Sequence, residues 1–339
     1  MAMASVPIGN SGLRSSAIGL GCMGMSEFYG ERDDAQSTRT LERAFELGVT
    51  HYDTSNVYGR GHNEELVGRF LKGKRDRVLV ASKFGVVRDP DGPQGSTYDR
   101  GIDNSPEYMR RCCEESLARL GVEAIDLYYV HRSDPDVPIE TTMLALAQLV
   151  QQGKIRAVGL SEVTADQLRR AHRVHPVAAV QSEYSLWTRE PERDVLPACR
   201  ELGVTFIAYS PLGRGFLTGA IASAQSLAAD DFRLSSPRFR GDNFDRNLEL
   251  IDHLRGLCAQ RSCTPGQIAL AWLMGRDQPM VPIPGTKRTK YLEENVGAAY
   301  MVLSAQERAQ LEALLPVGAA AGTRYDPAFK GAPRPASAG

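Results

Sequence analysis

Residues 17–25 read "AIGLGCMGM", with Gly19, Gly21 and Gly24 at the spacing G-x-G-x-x-G. In isolation this is the phosphate-binding fingerprint of a doubly wound dinucleotide fold. That motif needs a strand before it, a helix opening on the third glycine and an acidic residue about 20 positions further on. The lead-in Ser16–Ala17–Ile18 suits a strand. Beyond Gly24 the chain runs Met25–Ser26–Glu27–Phe28–Tyr29–Gly30 and then "ERDD", a loop closed by an N-cap at Asp33 or Asp34 before "AQSTRTLERAFELG". A pyrophosphate at these glycines has no helix N-terminus to sit on. The glycines are therefore assigned to a strand and its following loop.

Working outward, β-rich runs recur along the chain. They end at Cys22, Asp53, Lys83, His131, Ser161, Gln181, Ser210 and Gly285, eight in all. Helical patterns lie between them. "TRTLERAFELG" stops at Gly48. "SPEYMRRCCEESLARLG" opens on Ser105 with Pro106 at the first helical position and stops at Gly121. "IETTMLALAQLVQQG" stops at Gly153, "TADQLRRAHRV" opens on Thr164, and "PERDVLPACRELG" stops at Gly203. Eight alternating units predict an α/β fold, a (β/α)8 TIM barrel, in preference to an open doubly wound sheet. An N-terminal β-hairpin with Asn10–Ser11–Gly12 as its turn is expected ahead of the barrel. Long active-site loops are expected over 85–103 and from Gly213 to Phe244. The domain reading is a single barrel over 1–315 and an Ala/Gly/Pro-rich C-terminal tail or loop over 316–339.

Composition agrees with a globular chain. Of 339 residues, 42% are hydrophobic and 24% charged, and the net charge is -1, which argues against nucleic-acid and membrane-surface partners. No apolar run approaches a membrane span, and "MAMASVPIGNSGLRSS" has no apolar signal-peptide core. Six cysteines are scattered without a CxxC pair, so neither a metal site nor a disulfide framework is expected, and a reducing cytoplasm fits best. "LKGKRDR" (71–77) reads as a solvated turn.

In a barrel the C-terminal strand ends face the active site. Asp53, Lys83 and His131 stand there, and Tyr58 lies five positions past Asp53. Each alone has an ordinary reading: a cap, a surface lysine, a satisfied polar group, a turn aromatic. Together they suit proton transfer. The phenol of tyrosine titrates near 10, and an ammonium within about 4–6 Å favours the phenolate and lowers that value. An aspartate orients the lysine, and a histidine donor stabilises a developing oxyanion. The four predict a catalytic site for carbonyl reduction.

"HYDTSNVYGRGHNEELVGRFL", "SKFG", "YYVHR", "GLSE", "QSEYSLW", "AYSPLGRGFLTG" and "IPGTKRTKYLEENVGA" together resemble the aldo-keto reductases over residues 5 to 315. The resemblance implies an NADP(H)-dependent oxidoreductase acting on a small-molecule carbonyl substrate, with Tyr58 as general acid tuned by Lys83 and Asp53, and His131 completing the tetrad. It also implies cofactor contacts. Ser161 and Gln181 match positions that hold the nicotinamide carboxamide, and Tyr209 matches the ring that stacks on the nicotinamide. Ser210, Leu212, Gly213 and Arg214 match the loop under the pyrophosphate. Gly285, Thr286, Lys287 and Arg288 match the 2′-phosphate segment, and Glu294 and Asn295 match adenine contacts. Independently of the family, basic residues at the start of a helix oppose its dipole unless an anion is present.

Two positions depart from better-studied members: Glu162 stands where Asn is usual, and Tyr291 where Arg is frequent. Both resemble a bacterial and plant branch with the sequence His131–Arg132–Ser133–Asp134–Pro135. Phe28, Tyr29, Trp187 and Phe239 are candidates for the substrate pocket or for ordinary loop packing. Sugars, pyridoxal-like aldehydes, aromatic aldehydes and ketosteroid-like ketones all stay open as substrates. A slow NADP(H)-binding regulatory subunit is the alternative function, and a barrel isomerase or lyase a third.

Overall fold

The chain enters through a hairpin, β1 (Ser5–Pro7) against β2 (Arg14–Ser16), antiparallel and in register Ser5 to Ser16. The description rests on a computed structural model covering residues 3–88, 100–228 and 231–326, without the side chains of Arg100 and Gln260. Gly9 N donates to Thr205 Oγ1 at 2.8 Å, and Thr205 Oγ1 donates to Pro7 O at 2.7 Å. Ile8, wholly buried, joins the cluster inside the barrel. The hairpin thus stoppers the N-terminal end, and the opposite end is left to the loops.

Eight parallel strands follow: β3 (Leu20–Gly21), β4 (His51–Asp53), β5 (Leu79–Phe84), β8 (Ile125–Val130), β9 (Ile155–Ser161), β10 (Val177–Glu183), β11 (Thr205–Tyr209) and β12 (Met280–Pro282). Each neighbours the next in that order. The remaining strands, β6 (Val86–Arg88) and β7 (Arg100–Ile102), pair antiparallel outside the barrel. The long loop expected over 85–103 therefore begins and ends as a hairpin; residues 89–99 lie outside the described residues.

The barrel closes where the opening glycines stand. Gly19 N donates to Pro282 O at 2.9 Å, Gly21 N donates to Pro284 O at 3.3 Å, and Gly21 bridges Gly285 in parallel. Pro282 and Pro284 have no N–H, so this seam uses only their carbonyls and its ladder is short. A Cβ at Gly19 would sit 2.9 Å from the Ile283 side chain, and one at Gly21 2.9 Å from Ile283 O. These glycines let two strands approach at the seam.

The helices are α1 (Asp34–Glu46), α2 (His62–Leu71), α3 (Pro106–Leu120), α4 (Ile139–Gln151), α5 (Ala165–Val174), α6 (Val195–Leu202), α7 (Gly241–Arg261), α8 (Pro265–Met274), α9 (Thr289–Gly297) and α10 (Ala305–Leu314). Asp33 caps α1 by accepting from Gln36 N at 2.8 Å, and Thr164 forms a capping box with Gln167. The segment from Gly213 to Phe244, expected as loop, already turns into α7 at Gly241; Ala229 and Asp230 lie outside the described residues. Leu79, Ala81, Leu127, Tyr129, Ala179, Ile207 and Val281 fill the barrel, and a second apolar layer lies between strands and helices. Among the described residues no helix is long and apolar enough to cross a membrane, and no group of three or more His, Cys, Asp or Glu could hold a metal ion.

Candidate active site

Asp53 ends β4, Lys83 lies in β5 and His131 follows β8, so parallel neighbours carry them to one end of the barrel. Tyr58 opens a kinked turn, Tyr58–Gly61, beyond Asp53. The next residue, Gly59, has φ +56, and a Cβ there would come within 2.8 Å of Ser26 Cβ. Gly59 is therefore required for the turn that aims Tyr58 inward.

The Lys83 ammonium is fully buried and has three acceptors: Asp53 Oδ1 at 2.5 Å, Thr54 O at 2.8 Å and the Tyr58 hydroxyl at 3.4 Å. Three donors meet three acceptors, so its position is over-determined. The other carboxylate oxygen, Asp53 Oδ2, accepts from Gln181 Nε2 at 2.7 Å. His131 Nδ1 lies 3.2 Å from Ser55 Oγ, and its ring stands edge-on to Tyr58 with centroids 5.8 Å apart. Met23, Val57 and Val86 pack beside Tyr58 as an apolar wall.

Electrostatics depart from the sequence expectation in one respect. Burial pushes the Tyr58 phenol above its ordinary value, and the Lys83 charge and hydrogen bond pull back only part of that rise. Desolvation outweighs the ammonium because the phenol sits on the apolar wall. Burial also disfavours the charge on Lys83, but Asp53 and Tyr58 together more than offset it, and Lys83 is held protonated above its ordinary value. The geometry is thus a protonated phenol with an ammonium at its oxygen.

The residues matched to the cofactor fall into three groups. Ser161 and Gln181 are in β9 and β10; Ser161 Oγ accepts from Arg132 Nη1 at 3.2 Å, and the Gln181 amide nitrogen is turned to Asp53. Tyr209 ends β11, and its hydroxyl meets Tyr325 OH at 3.1 Å and Arg324 Nη2 at 3.2 Å. Ser210, Gly213 and Arg214 have φ of +45, +57 and +58, with Leu212 between them, so this loop winds left-handed past the barrel mouth. Arg214 lies over the rings of Phe232 and Tyr325, both at 5.3 Å.

At the far end, Gly285 is at the seam and Thr286 Oγ1 accepts from Arg288 N at 3.0 Å. Lys287 Nζ donates to Glu31 O, and Arg288 is the N-cap of α9. Glu294 accepts from Thr264 Oγ1 at 2.7 Å, which ties its carboxylate to the cap of α8, and Asn295 is buried.

The structure adds groups that the sequence reading passed over. Arg324 Nη2 donates to Glu162 Oε1 at 3.0 Å, and Glu183 joins them. Glu183 stands at a strand end and "TRYDP" is a charged and aromatic island in the C-terminal segment; both were visible signals. Of the pocket candidates, Phe28 pairs with Phe232 at 5.2 Å and Tyr29 faces Arg233 at 5.6 Å. Trp187 and Phe239 belong to packing instead. Trp187 stacks on Phe216 at 4.4 Å, Phe239 meets both edge-on, and both are buried because the long loop before α7 needs an apolar core of its own.

The family model for the aldo/keto reductase family matches residues 17–316. A probable aldo-keto reductase 1 from Glycine max is 42% identical over 322 residues, covering 94% of this chain and 91% of that protein. The aldo-keto reductase yakc of Schizosaccharomyces pombe, named for NADP(+), is 44% identical over 316 residues and covers 92% of each chain. Among solved structures, the glycerol dehydrogenase AKR11B4 from Gluconobacter oxydans superposes with a TM-score of 0.86 at 30% identity, covering 97% of this chain and 100% of that one. The holo form of aldo-keto reductase AKR11C1 from Bacillus halodurans has a TM-score of 0.76 at 26% identity, over 97% of this chain and 100% of that one.

Proposed function

Because the chain belongs to the aldo/keto reductase family, we propose that it is an NADPH-dependent oxidoreductase that reduces an aldehyde or ketone to the alcohol. The observation that carries this reading is the Lys83 ammonium held between Asp53 Oδ1 at 2.5 Å and the Tyr58 hydroxyl at 3.4 Å. A single barrel over 1–315 with 316–339 appended is part of the same reading.

The residues at hand fit NADP(H). Thr286, Lys287 and Arg288 lie together in the chain at the start of α9, an end that favours an anion, and would hold the 2′-phosphate. The left-handed loop from Ser210 to Arg214 would run under the pyrophosphate, with Leu212 and Gly213 in its floor, and Tyr209 would face the nicotinamide. Ser161 and Gln181 would hold the carboxamide, Gly285 would back the phosphate segment, and Glu294 and Asn295 would hold the adenine. When bound, the cofactor supplies the hydride.

Tyr58 donates its proton to the carbonyl oxygen as negative charge develops there. Lys83 stabilises the phenolate left behind, and Asp53 and Thr54 keep that ammonium in place. His131, edge-on to Tyr58, orients the same oxygen. The test is NADPH oxidation with 4-nitrobenzaldehyde followed at the NADPH absorbance. Turnover is expected. A wild-type protein that binds NADPH but reduces no member of a broad aldehyde and ketone panel would overturn the reading in favour of a regulatory NADP(H)-binding barrel.

A further inference from the structure

The described part of the C-terminal segment returns to the barrel mouth and is tied down on the way. Ala321 N donates to Asn247 Oδ1 at 2.8 Å, Asn247 Nδ2 donates back to Ala321 O at 3.1 Å, and Ser236 Oγ donates to Arg324 O at 3.3 Å. These bonds set the Arg324 guanidinium between the ends of β9, β10 and β11. Nη2 donates to Glu162 Oε1 and to the Tyr209 hydroxyl. Nε lies 3.4 Å from Glu183 Oε2, and Arg214 Nη2 stands 3.5 Å from that same oxygen.

Neither Glu183 Oε2 nor Arg324 Nε has a hydrogen-bond partner among the described residues. One buried carboxylate oxygen is therefore shared by two guanidiniums and bonded to neither. Burial alone pushes the Glu183 carboxyl up, but Arg324, Arg214 and Arg238 outweigh it and hold the group down at about 2, so it stays charged. A buried charged acceptor without a full hydrogen bond is costly, and closing either gap by a few tenths of an ångström relieves it.

Arg214 belongs to the loop read above as lying under the pyrophosphate, and the present inference rests on that reading. Phosphate oxygens at Arg214 compete with Glu183 for its donors. As Arg214 turns to them, the attraction that pulls Glu183 away from Arg324 weakens. We propose that Arg324 is a positioning residue that couples cofactor binding to closure of the segment 316–326: the Glu183 carboxylate passes from Arg214 to Arg324 and latches the segment across Tyr209. Glu162, which departs from the commoner Asn, is the fixed side of that latch. Coupling between two sites is reciprocal, so the latched segment raises affinity for the dinucleotide by the factor by which the dinucleotide favours latching.

The test has two parts. Hydrogen exchange of the wild-type chain is measured across 316–326 with and without NADPH, and slower exchange with NADPH is expected. Dissociation constants for NADPH and for adenosine 2′-monophosphate are then measured for wild type, Arg324→Met and Glu183→Gln. Arg324→Met, which leaves Glu183 to Arg214 alone, is expected to bind NADPH about tenfold or more weakly, and Glu183→Gln, which removes the latch but also frees Arg214, to lose less. They are expected to bind adenosine 2′-monophosphate as wild type does, because that fragment reaches Lys287 and Arg288 and stops short of Arg214. Arg324→Lys, which keeps the charge, should recover part of the loss. Equal NADPH affinity in wild type and both variants, or faster exchange of the segment when NADPH binds, would overturn the coupling alone. A wild-type chain that does not bind NADPH would overturn the functional reading and the coupling with it.

Discussion

Gln181 Nε2 donates to Asp53 Oδ2 at 2.7 Å, across 128 residues of chain, and so fixes the carboxylate that holds Lys83. Replacing it by leucine of similar bulk removes a donor from a buried carboxylate. The expected cost is about 1–3 kcal/mol, read as a lower urea midpoint with an unchanged slope. An unchanged midpoint would show that Asp53 does not depend on Gln181.

Tyr58→Phe keeps the ring against Met23, Val57 and Val86 and removes only the hydroxyl. Loss of a general acid lowers turnover by typically about 10²–10⁴-fold. NADPH binding, measured by fluorescence, should be unchanged. Retention of more than about a tenth of wild-type kcat, where hydride transfer limits the rate, would remove Tyr58 from the proton-donor role.

Lys83→Met and Asp53→Asn should each be severely impaired, and the double variant should lose far less than the sum of the two, because both act through one ion pair. Lys83→Met also strands a buried carboxylate and should destabilise the fold by about 3–5 kcal/mol. Activity losses that add in full would mean the two residues do not act as a unit.

Lys287 and Arg288 lie beside Thr286 at the N-terminus of α9, and no acidic residue occurs from 283 to 290 to repel a 2′-phosphate. Two charged contacts of about 1.5–3 kcal/mol each, partly screened by salt, favour NADPH over NADH by on the order of 10²-fold in kcat/KM. Lys287→Ala with Arg288→Ala should remove most of that preference by raising the KM for NADPH and leave NADH kinetics nearly unmoved. Steady-state kinetics with both cofactors decides it; a preserved preference would place the adenosine end elsewhere.

Burial holds His51 down at about 4, against an ordinary 6.5. As pH falls from 6.5 towards 4, the unfolded chain takes up this proton and the folded chain does not, so stability falls in that window. The slope approaches about 1.4 kcal/mol per pH unit. His172 and His175, only partly buried, are also held down by burial and act in the same direction. Glu183, held at about 2, adds its own loss only below its ordinary 4.5. Unfolding free energies measured from pH 7 to 4.5 should fall for wild type and fall less steeply for His51→Gln. Parallel slopes would assign the acid sensitivity to other groups.

The strand ends were legible because a parallel barrel repeats one local rule: an apolar run, a polar terminus, a capped helix. Asp53, Lys83 and His131 could be read from that rule, and Tyr58 from its place just past Asp53. Helix starts at Asp33, Ser105 and Thr164 were legible for the same reason, since a cap bonds within a few residues of itself. The β6–β7 hairpin was not, because both strands are short and their pairing joins Val86 to Ile102 across a long connection.

The eight-fold alternation, the class of residue at each strand end and the basic start of α9 could be read from the chain directly, because all of them are local. What Gly19 and Gly21 are for emerged from the folded barrel alone, because their reason is the approach of Pro282, Ile283 and Pro284 from the last strand. The tertiary structure also decided that Gln181 serves Asp53, that Trp187 and Phe239 pack in a loop core, and that Arg324 stands between Glu162 and Glu183. Each of these depends on groups far apart in the chain, 128 positions for Gln181 and Asp53 and 162 for Arg324 and Glu162, meeting within a few ångströms. Distance along the chain carries no signal of such meetings; close packing and the need to pair buried charges create them once the barrel has closed.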